Sequence, residues 1–430
     1  MNRRNSKSRL PLVSAGRFAV LRPFWITGPA IVFGCWCVVS AWQFGGKQAG
    51  IDFYQMWAAS QVQGRSGVAN LYDPDTGARL GQEFIRRASE GNNPDFLAVA
   101  KYWKVLESFS SPFLYAVFRT LPSRDYLTAF DTYRTVCLAA LVTAIGILGY
   151  LMRFTVAQTA LLVGLCSRFF DPVLSDIRVG NVNQLQLLAL AVAFYLVVID
   201  QRWRRITGSA IVAAMILFKP NVSLVALALI LAPLFQRRWR RLSESLAGLA
   251  VGSCFALALG SLSARSPVAW VQWIERMRTF PEAILARNGN LSLQRVVGAR
   301  LPFVNPTVAA FAVVILLVGS YLRGSRTAEE TQPRQLLLLT GALLGSILAP
   351  PLVWLHYLVL SIPAAMLLMS PSFPKGTRIV AVSSFVLIAC LPFHALPVDR
   401  AIPMLTGTVL LFGLTLWHLS RSSPQKIEER

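Results

Sequence analysis

"QRWRRITGSAIVAAMILFKPNVSLVALALILAPLFQRRWRR", residues 201–241, holds a long apolar run between two clusters of arginine and tryptophan. Arginine beside tryptophan marks the cytoplasmic end of a membrane segment. One crossing cannot have both ends on the same side. At the centre of the run stand Phe218, Lys219, Pro220 and Asn221. Proline lacks the N–H that helical hydrogen bonding needs, so the helix breaks there. The stretch therefore predicts two short spans folded as a hairpin that turns at Lys219-Pro220-Asn221.

Working outward, further runs fit spans at 24–44, 127–151, 154–171, 181–199, 243–262, 305–322, 335–350, 354–370, 377–394 and 402–420. With the hairpin they give about twelve crossings and an all-α polytopic membrane protein, its termini both cytoplasmic. The chain has 430 residues, 54% of them hydrophobic and 14% charged. Soluble domains carry about a quarter charged residues. A formal net charge of +22 could suit nucleic acid, but the basic residues sit in short clusters between apolar runs. That pattern orients a membrane protein and meets anionic lipid, and it argues against nucleic acid. The six cysteines lie inside apolar segments at no metal-type spacing.

Residues 1–23 read as a basic cytoplasmic N-terminus, 24–420 as one transmembrane domain and 421–430 as a cytoplasmic tail. Two loops interrupt that domain on the external side. Residues 45–112 balance seven Lys or Arg against seven Asp or Glu, as short helices lying on the membrane would. Residues 263–304 carry Arg265, Arg276, Arg278, Arg287, Arg295 and Arg300 against only Glu275 and Glu282. Either this loop lies on the other side of the membrane or the external face holds an anion, and the alternation of the spans favours the second.

Candidate chemistry collects at the external ends. Asp52, in "DFYQMWAAS", lies just past the first span, where an acid can act as a general base. Asp171, Asp176, Arg178, Asn181, Asn183 and Gln184 crowd the start of another span, where amides need partners. Gln184 and Gln186 fit helix–helix bonding. Lys219 is an ionisable group inside an apolar segment, and such groups are paired, functional or reaching for the interface. His356 stands in "ILAPPLVWLHY" beside Trp354, whereas His394 and His418 read as loop and interface residues. Asn288, Asn290, Ser292, Gln294 and Arg295 form a polar patch in "RNGNLSLQRVVG". The sequence has no phosphate-binding loop, HExxH, paired CxxC or dinucleotide-type glycine run, so an enzyme here draws on substrates in or on the membrane.

Taken in order, "DFYQMWAAS", "NLYDP", "SPFLYAVFRTLP", "GNVNQLQLL", "FKPN", "NLSLQRVVG" and "LAPPLVWLHY" resemble glycosyltransferase family 87, over about residues 24–370. These are polyprenol-phosphate-mannose-dependent mannosyltransferase-like proteins of the GT-C fold. The resemblance implies a GT-C-type bundle with short interfacial helices on the non-cytoplasmic side, set in a bacterial inner membrane. It implies a polyprenyl-phosphate-sugar donor, a lipid or glycan acceptor and no cofactor or metal. Asp52 matches the expected catalytic base. Gly180, Asn181, Asn183, Lys219 and His356 would line the cavity for donor and acceptor. The donor phosphate would meet Lys219, Arg295 and His356, and the substrates Tyr54, Asn181, Asn183, Asn290 and Trp354. The chain departs from the pattern at Asn181, where many relatives have Gln, at Ser110-Ser111-Pro112 for Tyr-Pro-Pro, and at Leu355 and Tyr357. Those departures bear on the sugar and the acceptor. A transporter or flippase of lipid-linked sugars, or a polymerase using lipid diphosphates, would share many of these features.

Overall fold

The computed structural model describes residues 24–421 apart from 49, 92, 122, 124, 200, 280–281, 286–288, 299–305, 326–330 and 391–398. The expectations for residues 1–23 and 422–430, and for Arg287, Asn288, Arg300 and His394, lie outside the described residues. Every regular element among the described residues is helical. In chain order these are α1 (Phe24–Gly46), α2 (Ile51–Val62), α3 (Pro74–Glu90), α4 (Pro94–Tyr102), α5 (Pro112–Phe118), α6 (Tyr126–Leu151) and α7 (Val156–Phe169). They continue with α8 (Asp171–Val179), α9 (Asn183–Val198), α10 (Arg202–Phe218), α11 (Ser223–Phe235), α12 (Trp239–Ala264), α13 (Val268–Arg278), α14 (Glu282–Leu285) and α15 (Leu293–Gly298). The last are α16 (Pro306–Ser325), α17 (Gln332–Leu348), a 3-10 turn (Leu355–Ser361), α18 (Ile362–Met369), α19 (Lys375–Ala389) and α20 (Ala401–Ser420).

The segment 201–241 folds back on itself. Val197, Arg205, Ala232, Pro233, Arg241, Ser245 and Gln335 surround one small pocket, so α10, α12 and α17 start where α9 and α11 end. At the other end, Gln186 Nε2 donates to the Lys219 carbonyl (3.1 Å) and Leu224 N donates to Ser346 Oγ (3.0 Å). Helix α11 therefore returns along the bundle, and the chain reverses at Lys219–Val222. Helices α10 and α12 run parallel in close backbone contact. A Cβ on Gly248 would sit 2.3 Å from the Ile206 carbonyl oxygen, and one on Gly252 would sit 2.0 Å from that of Ala210. Small residues at such crossings let helices pack where lipid supplies no hydrophobic drive. A buried ion pair of Arg205 with Glu244, which Arg240 also meets (3.0 Å), sets the register.

Five helices are long and apolar enough to cross a membrane, within α1, α6, α12, α16 and α20. The pair α8–α9, bent by 120° at Gly180–Val182, makes a sixth if taken as one broken span. The apolar segments Val156–Phe169, Ser223–Phe235 and Leu355–Met369 are shorter. Exposed Val32, Trp36 and Val39 on α1, and Phe311, Ile315 and Leu316 on α16, give the bundle an apolar outside, as lipid contact requires.

Residues 45–118 hold the four short helices α2–α5 over a second, aromatic core of Phe53, Tyr54, Trp57, Phe84 and Tyr126. Three of these helices start from the same local code, a capping side chain followed by proline. Asp73 accepts from Thr76 N (2.8 Å) ahead of Pro74, Asn93 from Phe96 N (3.0 Å) ahead of Pro94, and Ser111 from Leu114 N (3.1 Å) ahead of Pro112. Proline fits the first helical turn because its missing N–H has no partner to lose there. Ser111 Oγ also donates to the Phe218 carbonyl (3.2 Å), which ties α5 to the end of α10.

Candidate active site

Two glycines bring the site together. Gly50 (φ 62) opens α2 and Gly180 (φ 71) closes α8, both in the left-handed region that a side chain resists. A Cβ on either would also strike the Phe130 ring, at 2.6 Å from Gly50 and 3.0 Å from Gly180. With both backbones against one ring, Asp52 in the first turn of α2 meets Asn181 in the α8–α9 bend. Asn181 Nδ2 donates to Asp52 Oδ2 (2.7 Å).

Behind that contact lies a polar network. Lys219, extended as a residue before proline tends to be, donates through Nζ to Asn181 Oδ1 (2.7 Å) and Asn183 Oδ1 (3.4 Å). Its ammonium also lies 4.0 Å from the centroid of the Tyr357 ring. Asn183 Nδ2 donates to Asp176 Oδ1 (2.7 Å), and Gln186 Nε2 donates to Asn221 Oδ1 (2.9 Å). These amides thus find partners deep in an apolar bundle, where an unpaired polar group is costly. The chain Asp176–Asn183–Lys219–Asn181 fixes the amide that faces Asp52.

In front of Asp52 opens a cavity of about 520 Å³. Asp52, Gln55, Glu107, Ser175, Arg178, His356, Asp399 and Arg400 are its polar lining, and Tyr102, Trp103, Phe109 and Trp354 its aromatic wall. Leu291, Leu355, Ala401 and Met404 add an apolar side. Trp103 Nε1 donates to the Ile51 carbonyl (2.9 Å) and so anchors the start of α2 to that wall. The Asp52 side chain is 25% exposed, and its Oδ2 lies 3.9 Å from His356 Nε2. Burial pushes the Asp52 carboxyl above the usual carboxylate range, against the Asn181 hydrogen bond and the charges of Lys219 and Arg178. Arg178 and Arg400 are exposed, and neither side chain makes an ion pair or hydrogen bond with another described residue. No group of three or more His, Cys, Asp or Glu among the described residues is placed to hold a metal ion. The two guanidiniums suit an anion.

The structure sorts the residues expected from sequence into three places. Asp52, Trp354 and His356 line the cavity. Asn181 bonds Asp52, while Lys219 and Asn183 stand one layer behind, holding Asn181 in place. Tyr54, Asn290 and Arg295 stand elsewhere. Tyr54 is fully buried, its ring packed on Phe84, Phe96 and Tyr126, because this face of α2 covers the aromatic core. Asn290 clamps two loops, donating to the Leu285 and Pro351 carbonyls and accepting from Ser292 N and Val353 N. Arg295 Nη1 donates to the Asn290 carbonyl (2.7 Å) and supports that clamp.

The sequence reading gave Arg178 and Gln55 no role and passed over Arg400. Arg400 follows Asp399 at the head of the last span, where a lone basic residue looks like an interface anchor. Only the folded chain brings it to the cavity that Asp52 and Arg178 line. The burial of Tyr54 gives a direct expectation. Its hydroxyl is buried without a hydrogen-bond partner, so Tyr54→Phe removes an unsatisfied group. Transfer activity is expected to stay within about twofold of wild type, with thermal stability equal or up to about 1 kcal/mol higher. A large activity loss in a folded Tyr54→Phe protein would return Tyr54 to the site.

The model of glycosyltransferase family 87 matches residues 111–371. This region holds the α8–α9 bend, Lys219, Trp354 and His356, while Asp52 precedes it. No curated relative and no solved structure matches the chain.

Proposed function

The chain belongs to glycosyltransferase family 87, and on that premise we propose that it moves a single hexose from a polyprenyl-phosphate donor to a hydroxyl of a lipid or glycan acceptor. Mannose is the sugar the family resemblance suggests. The observation that carries this reading is a carboxylate, Asp52, held by the amide of Asn181 at the wall of a cavity that also presents Arg178 and Arg400.

The acceptor oxygen attacks the anomeric carbon while the lipid phosphate leaves from the opposite face, which inverts the configuration. Asp52 takes the hydroxyl proton as the new C–O bond forms. Its raised carboxyl makes it a stronger base than an ordinary surface aspartate. Arg178 and Arg400 balance the charge that grows on the departing phosphate, and His356 can hydrogen-bond a substrate oxygen beside Asp52. Trp354, Tyr102 and Trp103 offer faces to the sugar ring. The polyprenyl chain follows the apolar side at Leu291 and Met404. Lys219 and Asn183 act as positioning residues through Asn181.

We place this end of the bundle on the external face of a bacterial inner membrane. The opposite end carries Arg202, Arg204, Arg237, Arg240 and Arg241, which by the positive-inside rule faces the cytoplasm. In that orientation the three shorter apolar segments cross, and so do α10, α17 and α19, giving about twelve spans with cytoplasmic termini. The reading is tested by offering the purified protein, with membrane-extracted acceptors, radiolabelled mannose on a polyprenyl phosphate or on a nucleotide. Label is expected to pass only from the lipid donor. Transfer from the nucleotide sugar in lipid-free detergent would overturn the proposed donor.

A further inference from the structure

A second cavity, of about 630 Å³, lies at the far end of α2. Trp57, Ser60, Gln63 and Gly64 from α2 and its following turn meet Arg65, Arg87, Arg119 and Arg265 around it. None of its lining residues is acidic. Glu83 pairs with both Arg65 (3.2 Å) and Arg87, which offsets one of the four charges. Arg119 is held by carbonyls, with Nη1 3.4 Å from those of Gln63 and Ser263. Arg265 is exposed and forms no ion pair among the described residues. Gly64 (φ 71) lets the two helix ends touch, since a Cβ there would sit 2.4 Å from the Ser263 carbonyl oxygen.

The placement of Arg265 indicates what such a cavity meets. Helix α12 leaves Val251, Phe255 and Leu262 exposed, and Arg265 follows at its end. An apolar outer stripe that stops at an arginine puts that arginine at the level of lipid head groups. Asp52 and Gln63 are joined by the single helix α2, about 16 Å apart at 1.5 Å per residue. The two cavities thus sit on the same end of the bundle with one short helix between them.

We propose that this second cavity binds the phosphate of a membrane lipid head group, and that it anchors a phosphate-bearing lipid acceptor whose glycan reaches Asp52. The acceptor role rests on the transfer reaction proposed above, whereas the binding site does not. Guanidiniums suit phosphate because they offer paired donors in a planar fork.

The test reads binding without turnover, so its failure is separate from failure of the transferase reading. Full-length protein in detergent is titrated by calorimetry with dihexanoyl phosphatidic acid, dihexanoyl phosphatidylcholine and inorganic phosphate. Phosphatidic acid is expected to bind saturably, with phosphatidylcholine at least tenfold weaker. Inorganic phosphate is expected to compete, but more weakly. Arg119→Gln with Arg265→Gln should weaken phosphatidic acid roughly a hundredfold, at about tenfold per lost charge-assisted contact. Arg265→Gln alone carries the test if the double variant does not fold, with an expected loss of about tenfold. Unchanged binding in these folded variants overturns the site. Inorganic phosphate binding as tightly as the lipid overturns the head-group assignment.

Discussion

Asp52→Asn is expected to cut transfer from the lipid donor by roughly 10²–10⁴-fold, the range general acid–base catalysis supplies, while raising the thermal midpoint of the protein. The two effects have one cause. Burial disfavours the ionised carboxylate, so the folded state holds the Asp52 proton more tightly than the unfolded chain does. By linkage, the contribution of Asp52 to stability falls as pH rises from its unfolded pKa through the raised folded value. Whenever it is ionised, the side chain is therefore a burden on the fold. The asparagine keeps the shape and can still accept from Asn181 Nδ2, but it takes no proton. A purely structural Asp52 would give the reverse result, with stability lost and activity falling only in proportion. Thermal unfolding in detergent beside a transfer assay separates the two.

The second large effect is expected from the guanidiniums. Arg178→Gln combined with Arg400→Gln should lower kcat/KM for the lipid donor by roughly 10²-fold, the lower end of what one preorganised electrostatic donor contributes to a transition state. The lower end applies because both side chains are exposed and screened by water. Arg178→Gln has a second consequence. Its charge holds the Asp52 carboxyl down, so removing it moves that carboxyl further up and shifts the low-pH loss of activity to higher pH. An arginine that only anchors the membrane interface would move neither quantity. Lysine at these positions should restore part of the rate, since it keeps the charge and loses the planar fork.

Much of the fold could be read from residue patterns with a local cause. The arginine–tryptophan clusters around 206–235, with Pro220 between them, announced the reversal that α10, α11 and α12 make. The run boundaries fell within a few residues of α6, α9, α16 and α20 because apolar length is set by the bilayer. Asp52 stood out because acids are rare next to an apolar span. What stayed hidden depends on contacts across the chain. Nothing local reveals that Phe130 packs on both Gly50 and Gly180, and that packing is what joins Asp52 to Asn181. Tyr54 and Asp52 are two residues apart, yet one faces the aromatic core and the other the cavity. Lys219 looked like a phosphate ligand because a buried cation needs an anion. The amides of Asn181 and Asn183 and the Tyr357 ring meet that need instead. Likewise Asp73 of "NLYDP" and Ser111 before Pro112 resolve into helix caps.

The pH dependence of kcat/KM for transfer from polyprenyl-phosphate mannose separates a catalytic Asp52 from a structural one. If Asp52 is the base, the rate falls as pH drops through its carboxyl pKa, and burial places that inflection above the ordinary carboxylate value of about 3.9. The wild type is expected to show a single acid limb, which is absent from the residual activity of Asp52→Asn. A wild-type rate independent of pH, or the same limb persisting in Asp52→Asn, would contradict it.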